Sequence, residues 1–407
     1  MRKGILLGAL VLSMAGWAAD WPQWRGLLRD GVIADFREPS PWPERLKAVW
    51  KANVGIGHSS PVVVGGRIYQ FARQEGNEVV AALDLTTGKV LWQQTYPTPY
   101  KMNSAATRHG EGPKSTPAAA GGRLYTFGIS GILSCWNLAD GKLVWRKEFD
   151  KEYGETSPDF GTAASPIVDN GLVIVHVGGN SRGALTAFDA ATGNVRWRWA
   201  EEGPGYTSPI AVDLGGTRQV INQSRNNIIS VSAVTGELLW KIPFTTQYVQ
   251  NIVTPAIYGQ TVILSGLDKG TFAVRPVKQG NTWTAEKVWE NPDVSMYMNS
   301  PVVSGDYVYG MSHKKRGQYF CLDARTGTTQ WLSDGREGEN AAIVQGGAVL
   351  LLLNNEASLV IARRDPKQLQ IIRKYAVAES PTWAHPVVTG SGVLIKDSNS
   401  LALWSWQ

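Results

Sequence analysis

The stretch Leu83-Asp84-Leu85-Thr86-Thr87-Gly88-Lys89-Val90-Leu91-Trp92 decides the fold, because its Asp, Gly and Trp at four-residue steps return along the chain. The same spacing holds Asn137, Gly141 and Trp145, then Asp189, Gly193 and Trp197, then Ser232, Gly236 and Trp240, then Asp323, Gly327 and Trp331. Self-similarity at a period of a few tens of residues marks a solenoid or a propeller.

Working outward, each copy is preceded by a small polar residue and proline, then two apolar strands. The starts are Ser60-Pro61, Thr116-Pro117, Ser165-Pro166, Ser208-Pro209, Thr254-Pro255, Ser300-Pro301 and the degenerate Ala341-Ala342 and His385-Pro386. Turns such as Gly65-Gly66 and Gly121-Gly122 join the first two strands of a module, and Thr-Gly or Asp-Gly joins the last two. The last module ends without a fourth strand, whereas residues 47–54, containing Trp50, form a fourth strand with nothing before it. Pairing the two closes the ring and removes its open edges. The expectation is an all-β, eight-bladed β-propeller of four-stranded blades, one domain over residues 20–407. Trp50, Trp92, Trp145, Trp197, Trp240, Trp289 and Trp331 are expected to lie flat between blades, each burying on the order of 200 Å² while its N–H finds a carbonyl.

Arg2 and Lys3, an apolar run from Ile5 to Met14, and small residues at Gly16 and Ala18 read as a secretory signal over residues 1–19, cut near Ala18 or Ala19. The remainder has no apolar run long enough for a membrane helix and no Cys near the cut for a lipid anchor. An exported protein of the periplasm or cell envelope, monomeric and without a membrane span, is therefore expected. Forty Lys and Arg against 34 Asp and Glu are dispersed, with Lys314-Lys315-Arg316 as a short run, which disfavours a nucleic-acid face. The two cysteines occupy one slot of the repeat, shared by Ala82, Cys135, Ala187, Ser230 and Cys321. Four modules apart, they are expected to be small buried fillers rather than a disulfide.

The repeated D-x-x-x-G-x-x-x-W resembles the pyrroloquinoline-quinone-like repeat family, which includes quinoprotein alcohol dehydrogenases and the assembly factor BamB. Trp21-Pro22-Gln23-Trp24-Arg25-Gly26, Gly112 to Pro117 and Gly203 to Pro209 carry a closer resemblance to exported members. For the dehydrogenases the resemblance implies pyrroloquinoline quinone, calcium held by Glu, Asn and Asp, and a pair of adjacent cysteines. Here the cysteines are 186 positions apart, and no calcium-binding trio maps onto a motif.

Chemistry is expected in the loops that lead from one blade to the next. The longest, between Trp92 and Thr116, holds Arg108, His109, Glu111 and Lys114, whose cations suit a carboxylate or phosphate. Second-strand ends contribute Asn180, Arg182, His313 and Arg316, and the last module contributes Trp383 and His385. His58 and His385 precede inner strands of modules that neighbour each other once the ring closes. The five histidines show no metal-ligand spacing, and no nucleophile elbow, Walker loop or dinucleotide fingerprint is present. The reading is a non-catalytic binding or scaffold propeller of the cell envelope, without cofactor or metal, whose partner is an envelope protein or a small ligand. The alternative is a quinone-dependent dehydrogenase with the cofactor on the propeller axis.

Overall fold

The computed structural model describes residues 20–390 and 392–407; the expected signal, residues 1–19, lies outside them. Eight sheets follow one another around a ring. Blade 1 runs Val62–Val64, Arg67–Gln74, Asn77–Asp84 and Val90–Pro97 from inside to outside, antiparallel throughout. Blades 2 to 7 have their inner strands at Ala118–Ala120, Ile167–Asp169, Ile210–Leu214, Ala256–Tyr258, Val302–Ser304 and Ala341–Gly346. Blade 8 takes three strands from the C-terminal end, Val387–Val388, Gly392–Lys396 and Ser400–Ser405, and its outermost strand, Lys47–Asn53, from near the start of the chain. The ring is thus closed by hydrogen bonds between residues some 350 positions apart, such as Lys51 opposite Ala402.

The Asp, Gly and Trp of the repeat each have a distinct physical job. Asp84 Oδ1 accepts from the Thr87 amide and hydroxyl at 2.8 and 2.7 Å, and Asp189 does the same with Thr192, which fixes the turn between the third and fourth strands. The Gly that follows has positive φ, 69° at Gly88, and its backbone lies against the Trp of the preceding blade. A Cβ there would come within 2.6 Å of Trp50 at Gly88, 2.5 Å of Trp92 at Gly141 and 2.6 Å of Trp197 at Gly236. The indole N–H of Trp50, Trp145, Trp197 and Trp289 donates to Leu85, Ala190, Ala233 and Ala324, in each case the residue just after the Asp slot of the next blade. Trp331 reaches Asp365 O of blade 7 at 2.8 Å.

Except for Trp50, which faces Leu403, each docking Trp pairs across its own blade with the small slot, Ala82 with Trp92 and Cys135 with Trp145, and the register shifts at that point. Both cysteines are free and buried in this slot. Blade 7 puts Arg373, opposite Ile361, where the other blades have Trp.

Two docking expectations need correction. Trp240 donates to Gln219 Oε1 of its own blade at 3.0 Å, because the third and fourth strands of blade 5 run on into a longer hairpin that turns only at Gly280-Asn281, away from the position where the other blades receive the Trp. Trp283 on that long hairpin instead packs against Gly215 of blade 4. Trp92 stacks on Gly141, but its N–H finds no partner among the described residues.

Replacing Trp197 by Ala should destabilise the fold by about 3–5 kcal/mol through the cavity left between blades, and Trp197→Phe by about 1–2 kcal/mol through the lost bond to Ala233. Denaturant unfolding midpoints check the ranking; equal midpoints for Trp197→Phe and the parent would contradict it.

Candidate functional site

At the axis, the residue before the proline is a small hydroxyl side chain in blades 1 to 6, and the blades use it to bond to one another. The amide of Ser60 donates to Thr116 Oγ1, Thr116 to Ser165 Oγ, Ser165 to Ser208 Oγ and Thr254 to Ser300 Oγ, at 2.9 to 3.1 Å. The His385 amide of blade 8 donates to Ser60 Oγ of blade 1 at 2.8 Å. These residues are buried, and they form a belt of hydroxyls around the axis.

One side of the belt is filled by the chain itself. Trp21 pairs with Val63 of blade 1 through both main-chain bonds, and Pro22 O accepts from Ala119 of blade 2. Arg25 donates to Ser300 O and Pro301 O of blade 6, and Arg29 to Ser165 O and Pro166 O of blade 3. Val32–Ile33 then joins blade 7 as a parallel fifth strand. Residues 21–33 therefore touch five blades from inside the ring. Arg25 and Arg29 are 2% and 3% exposed; burial lowers both guanidiniums, and the Arg25 charge lowers Arg29 further. Main-chain carbonyls, not carboxylates, take up their donors.

Beyond this plug lies a cavity of about 500 Å³ on the axis. Its lining follows from strand geometry: side chains two residues apart share a face, so the residue three before each proline points the same way as the hydroxyl one before it. Those residues are His58, Lys114, Ala163, Tyr206, Ile252, Met298 and Trp383, and all of them line the cavity. Trp24 of the plug contributes an aromatic wall, with the Arg25 and Arg29 guanidiniums 5.6 and 5.7 Å from its ring and His385 edge-on at 5.3 Å. Phe160, Tyr248 and Tyr297 complete an aromatic surface. Tyr248 is held in left-handed backbone at φ 56° and stands 70% exposed at the rim.

Burial disfavours the charged forms of the ionisable groups here. Lys114 Nζ donates to Phe160 O at 2.7 Å, and burial pulls its ammonium down to about 8. The His109 ring lies 4.7 Å from Trp383 and 5.7 Å from His58. Burial, then the Lys114 and Arg108 charges, lower His109 to about 4, and burial lowers His385 to about 3. All three histidines are neutral at pH 7, and His58 Nε2 and His385 Nδ1 have no hydrogen-bond partner among the described residues. The lining includes no Asp or Glu.

Of the residues expected from sequence, the structure brings Arg108, His109, Lys114, Trp383 and His385 together here. His313 and Arg316 line an adjoining cleft. Glu111 stands apart because its carboxylate accepts from the Met102 amide and shapes the loop. Asn180 is held by Asp159 and Arg225, and Arg182 donates to Tyr153 O, so neither faces the cavity. Sequence reasoning missed Trp24, Tyr206, Tyr248 and Tyr297. Tyr206 was accessible through its register to Pro209; Trp24 was not, since its place depends on contacts with distant blades.

The family described as outer membrane protein assembly factor BamB matches residues 76–333. The chain belongs to this family of PQQ-like propellers. Within it, outer membrane protein assembly factor BamB of Shewanella oneidensis is 24% identical over 292 residues, covering 69% of this chain and 60% of that one. BamB of Yersinia pestis is 24% identical over 203 residues, covering 47% of each. The chain thus spans about half the length of these curated relatives. Quinohemoprotein alcohol dehydrogenase of Comamonas testosteroni is 31% identical over 162 residues, covering 38% of this chain and 22% of that one. The crystal structure of BamB from Moraxella catarrhalis superposes with a TM-score of 0.62 over 88% of this chain and 99% of that one, at 16% identity. The Comamonas testosteroni enzyme superposes with a TM-score of 0.67 over 95% and 80%, also at 16% identity. Likeness at that level speaks for the fold alone.

Replacing Arg25 by Met leaves the carbonyls of Ser300 and Pro301 without a donor and should cost about 3 kcal/mol or more. Limited proteolysis should then cut within residues 20–46, while a substitution of exposed Arg45 leaves the digest unchanged. An unaltered digest for Arg25→Met would contradict the plug.

Proposed function

We propose that this chain is a non-catalytic binding propeller of the cell envelope whose axial cavity takes a small organic anion with a flat or apolar body. The observation that carries this reading is the convergence of one residue from most blades, at a fixed offset from the repeat, on a cavity with aromatic walls and a buried lysine. Phe160, Tyr206, Trp24 and Trp383 offer faces for the body. Lys114 supplies positive charge in a cavity lining without carboxylates, and Arg108 adds a guanidinium at its edge that is paired with Glu339. The signal read in residues 1–19 and the BamB relatives support the cell envelope as its location.

The quinoprotein relatives favour a second reading, dehydrogenation with quinone and calcium on the axis. The residues present do not fit that pair. Arg108 and Lys114 could meet carboxylates of a quinone, but the lining offers no carboxylate to a divalent cation, and no group of three His, Cys, Asp or Glu gathers among the described residues. The two cysteines lie in blades 2 and 6.

Binding should depend on pH through Lys114. Its ammonium is present below about 8 and lost above it, so affinity for benzoate, measured calorimetrically, should fall as pH rises through about 8. A bound anion holds the proton on, placing the midpoint at or above that value. Lys114→Met should bind about tenfold or more weakly at pH 7, as expected for one charge-assisted bond, and lose the pH dependence; a parent curve that is flat to pH 9.5 would contradict the assignment. Pyrroloquinoline quinone should bind, if at all, independently of calcium, and calcium-dependent dye reduction by the purified protein would favour the dehydrogenase.

A further inference from the structure

The axial cavity opens beside a cleft of about 580 Å³, and the two share Arg108, Tyr297, Met298 and Trp383. A ligand seated in one can therefore extend into the other. The cleft differs in chemistry: its lining adds Arg316 and Arg336, with His313, against Glu339 and Glu356.

The two added arginines are placed with care by backbone that L-residues rarely adopt. Lys315, Arg316 and Arg336 have φ of 52°, 61° and 64°. Two main-chain bonds staple their loops together, Arg336 N to Lys315 O at 2.9 Å and Glu337 N to Gly317 O at 3.1 Å. Left-handed backbone at non-glycine residues costs free energy and persists where surrounding contacts impose it, commonly at binding sites. Neither Arg316 nor Arg336 has an ion-pair partner among the described residues, so two unpaired guanidiniums line the cleft together with the carboxylates of Glu339 and Glu356. The His313 Nε2 lies 2.9 Å from Asp268 Oδ1.

Arg108 supplies a third guanidinium, already occupied. It comes from the loop between blades 1 and 2 and meets Glu339, from the loop between blades 6 and 7, at 3.0 Å. Both side chains are more than half exposed, so the pair contributes little to stability and yields readily to a competing oxyanion. The contact spans the mouth where cavity and cleft meet.

We propose that the cleft is an oxyanion subsite, holding the phosphate or carboxylate tail of a ligand whose apolar body enters the axial cavity, with Arg108 exchanging Glu339 for that tail. This rests on the axial-cavity reading above. Arginine suits the role because its planar fork meets two oxygens of a carboxylate or phosphate at once. Glu339 and Glu356 are the opposing charges in the lining, outnumbered by the guanidiniums of Arg108, Arg316 and Arg336.

The test is calorimetric titration of the full chain with phenyl phosphate, phenylacetate and inorganic phosphate. Phenyl phosphate or phenylacetate should bind the double variant Arg316→Gln, Arg336→Gln at least about tenfold more weakly than the parent, as for loss of charge-assisted bonds. Glu339→Gln should bind it severalfold more tightly, because Arg108 is released. The preferred probe of the two identifies the tail as phosphate or carboxylate. Unchanged affinity in the double variant, or no binding of any probe to the parent at millimolar concentration, would overturn the subsite. If the double variant weakens inorganic phosphate while Trp24→Ala leaves phenyl phosphate unaffected, the axial reading fails and the cleft stands as a separate anion site.

Discussion

The structure depends on a constraint at the axis: where eight inner strands converge, the amide before each proline is buried and has no partner within its own sheet. An unpaired buried amide would cost roughly 1–3 kcal/mol at each blade. For the amides of His385, Ser60, Thr116, Ser165 and Thr254 the hydroxyl belt meets this need with the neighbouring blade's side chain. It runs from blade 8 through blades 1, 2 and 3 to blade 4, and again from 5 to 6. Blades 4 and 5 are joined the other way, by Thr254 Oγ1 donating to Ser208 O. The belt lapses at blade 7, where Ala341 has no hydroxyl, and there the plug takes over. Arg25 bonds to the carbonyls of blade 6, and Gly31 to Ile33 run alongside blade 7. The belt and the plug together tie the blades at the axis, the belt by pairing amides and the plug by bringing arginine donors to carbonyls.

The cavity follows from that arrangement. A chain extended into each proline presents alternate residues to the axis, so fixing the hydroxyls at one offset fixes the cavity lining two residues earlier. The belt's hydrogen bonds do not involve the side chain at that offset, and histidine, lysine, alanine, tyrosine, isoleucine, methionine and tryptophan occupy it in different blades. The scaffold constrains position and leaves chemistry open. The Trp and Gly that lock blades together lie in the outer turns, away from this choice.

Much of this was legible in the residues. The interval between Asp84, Gly88 and Trp92 implied the turn and the docking tryptophan, the eight module starts from Ser60-Pro61 to His385-Pro386 implied the number of blades, and the unpartnered strand at Trp50 implied how the ring closes. Cys135 and Cys321 could be placed because the repeat assigns them a slot. The site was legible only in part. Arg108, His109 and Lys114 stood out as charges in a long loop, and Trp383 and His385 as irregularities in the last blade. Asn180 and Arg182 looked similar but bond to Asp159, Arg225 and Tyr153, because a loop's polar residues do not announce which way they face. Trp24, Arg25 and Arg29 could not be located, since their partners lie as far away as Ser300 and Pro301.

The most direct measurement is a crystal structure of the protein soaked with 4-iodobenzoate, with the iodine located by its anomalous scattering. The account predicts iodine within the axial cavity, near Trp24, Tyr206 and Trp383, with the carboxylate toward Lys114 or Arg108. Iodine found only on the outer faces of the blades, with the cavity unchanged, would contradict it.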